Sequence, residues 1–330
     1  MDRDGETAHA PVMLEEMVEA LAVDRDGFYV DATFGRGGHA RRLLAELSPR
    51  GRLLAIDRDA DAHASARLLA KADARVQARH GRFGSLKDYL TGDNQGGPGE
   101  QSGVMFDVGM SSPQLDEPGR GFSFSLPGPL DMRMDQRDAL TARAWLNDAQ
   151  VEDLAKVIRR YGEERHARRV ARAIVAARPL ETTTELAEVV ARAVRGTRSA
   201  TQACARVFQA VRIHINDELA ELDRGLDAGF DVLRAGGRLA VLTFHGVEHR
   251  LVRRRFRQWV EGPDLPRRLP VRYGPEPLAR RIDPVGKGLR PTAAEVDRNP
   301  RARSALLQVV EKLGRQGRWA VAPRTSGAPA

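Results

Sequence analysis

The 330-residue chain holds one cysteine, Cys204, and five lysines. A single thiol excludes an internal disulfide and any metal site built from several cysteines. No apolar run approaches the ~20 residues that a membrane span requires. The opening residues, MDRDGETAHAPVML, are acidic and lack a signal-peptide pattern. A soluble, cytoplasmic protein is expected, with no membrane partner and no metal ligands assigned. The chain also lacks a phosphate-loop lysine and a complete G-x-G-x-x-G fingerprint, so dinucleotide binding has little support.

With so few lysines, arginine carries nearly all the positive charge, a bias that codon usage in a GC-rich genome can produce. Its distribution says more. The net charge is +8, yet residues 249–303 alone hold fifteen Lys/Arg and six Asp/Glu, a net of +9, so the remainder sums to −1. A concentrated basic segment on a near-neutral body suits a polyanionic partner, and nucleic acid is favoured over a merely solvated, proline-rich stretch.

Short apolar runs bounded by Gly or Asp alternate with helical patterns: GFYVDATF (27–34), GRLLAID (51–57), ARVQARHG (74–81), GVMFDVG (103–109) and, much later, GRLAVLTFH (237–245). That alternation predicts an α/β fold with a mostly parallel, doubly wound sheet. The gap of about 130 residues before the fifth run is too long for one crossover, and its apolar spacing is helical. A capping box, Thr182 to Glu185, opens one of its helices. Phe208, Val211, Ile215, Leu219, Leu222, Leu226, Phe230 and Leu233 predict one long amphipathic helix stopped by Gly236-Gly237. The expected organisation is a discontinuous α/β domain, 1–109 and 216–313, interrupted by an all-helical insert, 110–215, that recognises substrate RNA. A basic helix follows residue 245, RSALLQVVEKL (303–313) is expected as a closing edge strand, and 314–330 is expected to be a disordered tail.

Three stretches carry chemistry. In DATFGRGGHA a strand ending in Asp31 passes through Gly35, Gly37 and Gly38 into a helix, where glycines admit a ligand close to the backbone and the helix start offers free N–H groups. Asp57 ends the second strand, 22 residues after Gly35, where an acid can bind ribose hydroxyls. The ordered pair predicts an adenosine-containing ligand. In DVGMSSPQL, Asp107, Ser111, Ser112, Pro113 and Gln114 follow the fourth strand directly. Gly, Ser and Pro would explain a turn by themselves; placed behind the other two features, the stretch becomes the candidate floor of a reaction site. A C-terminal helix ending LRAGG before the fifth strand resembles the L-x-P-G-G-x-L signature of class I S-adenosylmethionine methyltransferases.

A closer resemblance extends over roughly residues 9–312. HAPVMLEEM, VDATFGRGGHA, AIDRD, DVGMSSPQLD, RGFSF, GPLDMRMD, YGEERHARRVARAIV, FQAVRI, TFHGVEHR, KGLRPT and NPRARSA resemble, in order, the ribosomal RNA small subunit methyltransferase H family. The resemblance implies a class I, Rossmann-like methyltransferase domain with an inserted helical domain. It implies S-adenosylmethionine-dependent methylation of the exocyclic N4 of a cytidine in the decoding region of 16S rRNA. The partner would be the small ribosomal subunit or a late assembly intermediate, and a homodimer is compatible with the family. Carried over by position, Gly37, Gly38 and His39 lie by the methionine end of the cofactor, Asp57 fits the ribose and Phe83 the adenine, and Asp107 and Gln114 bracket the fourth-strand loop. Arg206, Arg212, Arg250, Arg253, Arg254, Arg255 and Arg257 would contact RNA.

Cytosine N4 is a poor nucleophile because its lone pair conjugates with the ring. Acceptors for the amino protons after the fourth strand would favour a more nucleophilic nitrogen, so Asp107, Ser111, Ser112 and Pro113 are expected to shape the amine site. No second proline or aromatic follows Pro113, which leaves stacking to another residue, with Phe122 and Phe124 as candidates. Methylation at C5 would need a cysteine nucleophile, and Cys204 sits far away in the insert, where a small core residue is its expected role. His39 and His245 are candidates for a base, although a lone histidine is more often structural. The chain departs from the family at Ala205 and Val207, where threonines are usual, and at Gly246 and His249, where Ser and Asp are usual; these changes bear on RNA contacts, not on the cofactor loop. The alternatives are a non-catalytic RNA-binding assembly factor that kept the fold, disfavoured by retention of Gly37, Gly38, Asp57 and Asp107, and a nicotinamide-dependent dehydrogenase, disfavoured by the incomplete glycine fingerprint.

Overall fold

A computed structural model describes residues 11–91, 97, 99–195, 200–261 and 281–314. Its centre is a seven-stranded sheet of β1 (Phe28–Asp31), β2 (Arg52–Asp57), β3 (Val76–His80), β4 (Gln101–Asp107), β5 (Leu233–Thr243), β6 (Ile282–Pro284) and β7 (Leu306–Lys312). The order is β3-β2-β1-β4-β5-β7-β6, with β1 to β5 paired in parallel and β7 antiparallel to both neighbours. The helices are α1 (Leu14–Ala20), α2 (Gly38–Glu46), α3 (Ala60–Ala72), α4 (Leu86–Tyr89), α5 (Ser112–Asp116), α6 (Ala142–Asp148), α7 (Val151–Gly162), α8 (Ala167–Ala176), α9 (Thr183–Ala193), α10 (Ala200–Ile215), α11 (Glu218–Val232), α12 (Gly246–Glu261) and α13 (Ala293–Arg298). This is the mostly parallel, doubly wound, Rossmann-like sheet that the sequence led us to expect. None of these helices is long and apolar enough to cross a membrane.

The strands read as near-continuous apolar runs because both faces of the sheet are covered. Alternate residues go to opposite cores. Val30, Leu54, Ile56, Val104, Phe106 and Val241 pack with Leu222 and Leu226 of α11 and Phe256 of α12. Tyr29, Leu53, Ala55, Met105 and Leu242 pack with Met17 of α1 and Leu43 of α2 on the other side. A third apolar cluster draws on 122–215 and includes Leu146, Ile158, Ile174, Leu186 and Val207. This separate core is the support for our proposal that 110–215 forms a unit of its own. Cys204 is one of its buried members, as expected of a small core residue. The capping box of α9 forms as the sequence predicts: Thr182 N–H donates to Glu185 Oε2 at 3.0 Å, and Glu185 N–H returns to Thr182 Oγ1 at 3.3 Å.

Three expectations are corrected. The single long helix over 208–233 is two helices, broken at Asn216 and Asp217, where Asp217 adopts φ 50°. The fully buried Asn216 amide makes the break: it donates to the carbonyls of Met132 and Arg212 at 2.7 and 2.9 Å and accepts from Met134 N–H at 2.7 Å. Apolar spacing continues across the break because both helices bury one face, so periodicity cannot reveal it. Gly236-Gly237 does not cap a helix but lies within β5, where the pairing with β4 shifts from Gln101↔Leu233 to Gly103↔Arg238. The short strand β6 lies in the proline-rich stretch, where no strand was anticipated, and it pairs outside β7, so β7 (Leu306–Lys312) is not the edge strand that its sequence led us to expect. Of the expected disordered tail, 315–330 lies outside the described residues.

Candidate active site

β1 and β4 are neighbours from which the chain winds in opposite directions, and a cavity of about 400 Å³ opens at the carboxyl ends of the strands there. Crevices at such a switch point are where sheets of this kind take ligands. Asp31, Asp57 and Asp107 end β1, β2 and β4. The latter two line the cavity, while Asp31 is 2% exposed beneath it.

The glycine turn forms one wall. Gly35 adopts φ +54° and a Cβ there would meet nothing within 4 Å, so the turn leaves open room beside the backbone. Gly38 lines the cavity and opens α2; a Cβ there would lie 2.1 Å from Pro11 Cγ. Gly37 caps α2 with φ +75° behind the cavity wall. Asp57 fixes the turn by accepting Gly35 N–H at 2.8 Å on Oδ2, while Oδ1 accepts Asp59 N–H at 2.9 Å. Burial pushes the Asp57 pKa up against these two hydrogen bonds. Phe83 supplies an apolar wall, edge-on to Phe106 with centroids 5.3 Å apart.

The loop after β4 forms the floor. Ser111 N–H donates to Gln114 Oε1 at 3.0 Å, and Gln114 Nε2 donates to Asp59 Oδ2 at 2.8 Å. Gln114 thus ties the start of α5 to the start of α3, and both ends of its amide are engaged. Ser111, Pro113 and Gln114 line the cavity; the side chain of Ser112 lies outside the described residues.

Asp107 and His39 face each other, with Oδ2 and Nδ1 3.7 Å apart. His39 Nε2 lies 3.1 Å from the carbonyl of Val12. A carbonyl can only accept, so Nε2 carries the proton and Nδ1 presents a bare lone pair to Asp107. Burial holds the His39 pKa down at about 4, so the ring is neutral at physiological pH. Burial, then the charge of Glu248, pushes Asp107 up to about 7. A carboxyl group that is half protonated near pH 7 can exchange a proton with a ligand, while the neighbouring imidazole stays neutral.

Behind this pair lies a buried charge network that sequence reasoning did not find. Arg212 grips Glu218 in a bidentate pair at 2.7 and 2.8 Å, with both residues under 10% exposed. Glu248 is fully buried, 2.8 Å from His245 Nε2 and accepting Phe244 N–H at 2.8 Å. Burial alone would raise the Glu248 pKa; His245 and Arg212 outweigh it and hold the carboxyl below its usual value. Asp59, with Arg120 at 2.7 Å, forms a second link, from the loop before α6 to the cavity wall. Arg120, Arg212, His245 and Glu248 lie in the quoted strings RGFSF, FQAVRI and TFHGVEHR, but nothing local in those strings shows that they meet in one network. Asp59, the last residue of AIDRD, caps α3 by accepting Asp61 N–H.

Several expected positions move. Arg212 was expected to contact RNA, but it is 7% exposed and saturated by Glu218, so it serves the inside of the site. Arg255 is pinned by Asp223 and Asp227 of α11 at 2.5 and 3.1 Å. Arg250 pairs with Glu163 at 2.5 Å, Arg254 lies 3.8 Å from Asp223, and Arg206 lies 3.4 Å from Glu164, all three keeping side-chain exposure near half or above. Arg253 and Arg257 are exposed on α12. Phe122 is buried in the third core and Phe124 packs edge-on to Phe208 at 5.7 Å, so neither reaches the cavity. The aromatic that does so beside Gly109 is Phe244.

Asp31 gives a stability prediction. Burial lifts its pKa to about 8, opposed by a hydrogen bond from Thr33 N–H and reinforced by Asp107 and Asp57. The folded state then binds a proton that the unfolded chain releases above pH ~4, so this residue costs stability progressively as pH rises from ~4 to ~8. Asp31→Asn keeps the acceptor for Thr33 and is expected to stabilise the ligand-free protein at pH 8.5 by a few kcal/mol, with little effect at pH 4.5. Urea unfolding of both proteins across this range checks it; parallel stability curves would refute it.

Comparison with known proteins places this geometry in context. The model of the MraW methylase family matches residues 6–313. The ribosomal RNA small subunit methyltransferase H of Shewanella loihica is 46% identical over 311 residues, 93% of this chain and 98% of that protein. Its counterpart in Chromohalobacter salexigens is 49% identical over 317 residues, 95% and 94% of the two chains. Among solved structures, an rRNA methylase from Streptococcus thermophilus aligns with 91% of this chain and 94% of its own at TM-score 0.38 and 13% identity, a likeness too slight to carry an argument.

Proposed function

The chain belongs to the MraW methylase family, and from that premise we propose that it methylates the exocyclic N4 of a cytidine in the decoding region of 16S rRNA, in the cytoplasm, on the small ribosomal subunit or a late assembly intermediate. It is a methyltransferase, and S-adenosylmethionine is its cofactor. The cavity suits that cofactor: its volume falls in the range of small-molecule sites, Gly35 leaves room where a Cβ would project, and each Asp57 oxygen keeps a lone pair for a ribose hydroxyl beyond the N–H it already accepts. Phe83 would flank the adenine, while Gly37, Gly38 and His39 would border the methionine end. When bound, the cofactor supplies an electrophilic methyl group on a sulfonium.

The protein's own task is to position the amine and receive its proton. The Asp107 carboxylate accepts a hydrogen bond from the N4 amino group, and the backbone after β4, with Ser111, completes the ring of acceptors. The proton released on methylation passes to Asp107, whose pKa near 7 suits both uptake and release. His39 stands behind Asp107 as a neutral ring, its Nε2 held by the Val12 carbonyl and its Nδ1 3.7 Å from that carboxyl group. Phe244 offers an aromatic face for the base. Cys204, buried in the insert, is away from the cavity, which fits a reaction that needs no covalent adduct.

The observation that carries this reading is the ionisable Asp107 at the floor of a cavity whose opposite wall is the glycine turn and Asp57. Mass spectrometry of rRNA nucleosides from cells with and without the gene tests it. Loss of N4-methylcytidine on deletion is expected; an unchanged nucleoside profile would overturn the substrate assignment.

A further inference from the structure

A second concavity, of about 620 Å³, lies outside the cavity just described, between α7 and α8. Its wall carries Lys156, Arg159, Arg165, Arg168 and Arg172, with Glu152 as its one acid. All five cations are exposed. Several other arginines sit in ion pairs, such as Arg42 with Glu15, Arg75 with Asp73 and Arg133 with Asp131, while others, such as Arg67, stand singly among the described residues. Among the described residues none of these five cations is in an ion pair. Five neighbouring like charges repel one another and destabilise the fold slightly, so their concentration without acid partners implies an external anion. Three of the five arginines of α12, Arg250, Arg254 and Arg255, already have carboxylate partners, whereas Arg253 and Arg257 are exposed.

We propose that the α7–α8 groove holds the phosphodiester backbone of the RNA substrate, beside the cavity that takes the target base. The apolar part of the wall is confined to Val151, Ala155 and Ala167, so charge and not apolar burial would provide the affinity. Arg168 and Arg172 are one turn apart on α8, about 6 Å along its axis, a separation that neighbouring phosphates of an extended strand can match. Arg159 lies one turn before Glu163 at the end of α7. Glu163 in turn pairs with Arg250 near the start of α12, the same end that presents His245 and Glu248 to the cavity. The groove therefore runs up to the cavity's neighbourhood, and a strand laid along it can turn a base inward. This inference rests on RNA being the substrate, but its test does not require turnover.

The test compares Arg168→Ala/Arg172→Ala with Arg67→Ala/Lys71→Ala, which removes an equivalent exposed i, i+4 pair of cations from α3. Binding of the full-length proteins to a single-stranded fragment of 16S rRNA is measured by filter retention from 50 to 200 mM salt. If the two arginines each neutralise a phosphate, the slope of log affinity against log salt falls in magnitude by about 1.4 in the α8 variant. Across that fourfold salt range the wild type then loses roughly sevenfold more affinity than the α8 variant. The α3 variant is expected to keep the wild-type slope. Calorimetry with S-adenosylmethionine checks that the cofactor site is intact. With small subunits as substrate, the α8 variant should show a raised KM and an unchanged kcat. An α8 slope equal to wild type, or an equal fall in both variants, would overturn the groove assignment even if N4 methylation were established. A selective fall in the α8 variant would uphold it even if the methylated nucleoside proved different.

Discussion

Asp107→Asn is expected to lower kcat by about 100-fold or more, the usual cost of losing a positioned proton acceptor. The substitution keeps the size of the side chain and a hydrogen-bond acceptor but cannot take up the amine's proton. The pH profile separates this role from a structural one. In the wild type the carboxyl titrates near pH 7, and only the ionised form accepts, so log kcat should rise with unit slope below ~7 and level above it. His39, held at about 4, stays neutral throughout that range and adds no second limb. The Asn variant should give a flat profile over pH 6–8 at its reduced rate. Single-turnover methylation with saturating cofactor is the measurement. A variant with normal kcat, or one that retains the rise through pH 7, would remove Asp107 from the proton transfer.

Arg212→Ala is expected to cost about 3–5 kcal/mol of folding stability, because it leaves Glu218 as a buried, uncompensated charge. The loss is compounded by Glu248, whose carboxyl is also held ionised in part by Arg212. A fall in Tm of about 5–15 °C is the corresponding signal. Removing both charges together, as Arg212→Met/Glu218→Gln, should recover much of the loss, since a buried pair contributes little net stability over neutral groups of similar size. Thermal and urea denaturation of the three proteins decide the matter. An unchanged Tm for Arg212→Ala, or a double variant no better than the single, would mean that the pair is not the buried ion pair described. The prediction also distinguishes the interior role of Arg212 from an RNA contact, which would leave the melting of the free protein almost unmoved.

The cavity wall and the network behind it differ in how they are written in the chain. Gly35, Gly38, Asp57 and Asp107 stand at the ends of strands or in the turns that follow them, so a local pattern announces each one and its order along the chain announces the sheet. The same holds for β1 to β5 and for the α9 capping box. Glu218 and Asn216 announce nothing, and Glu248, although it lies in TFHGVEHR, gives no local sign that it is buried. Each is an ordinary polar residue in or beside a helix, and its burial arises only because α10, α11 and α12 pack over the ends of β4 and β5. The break at Asn216 was invisible for the same reason: the carbonyl of Met132 and the N–H of Met134 that fix it come from more than eighty residues away.

What the sequence determined by itself is therefore what short-range rules govern: apolar runs of strand length, glycines where backbone must approach a ligand, acids at strand ends, and a basic surplus that calls for an anion. It could not say which basic residues are free to meet that anion. In the prominent arginine run of α12 three of five proved to be paired, with Arg255 clamped between Asp223 and Asp227, whereas Lys156, Arg159, Arg165, Arg168 and Arg172, to which the sequence assigned no role, have no ion-pair partner among the described residues. A charge is neutralised by what lies within a few ångströms of it in space, and only the tertiary structure decides which residues those are.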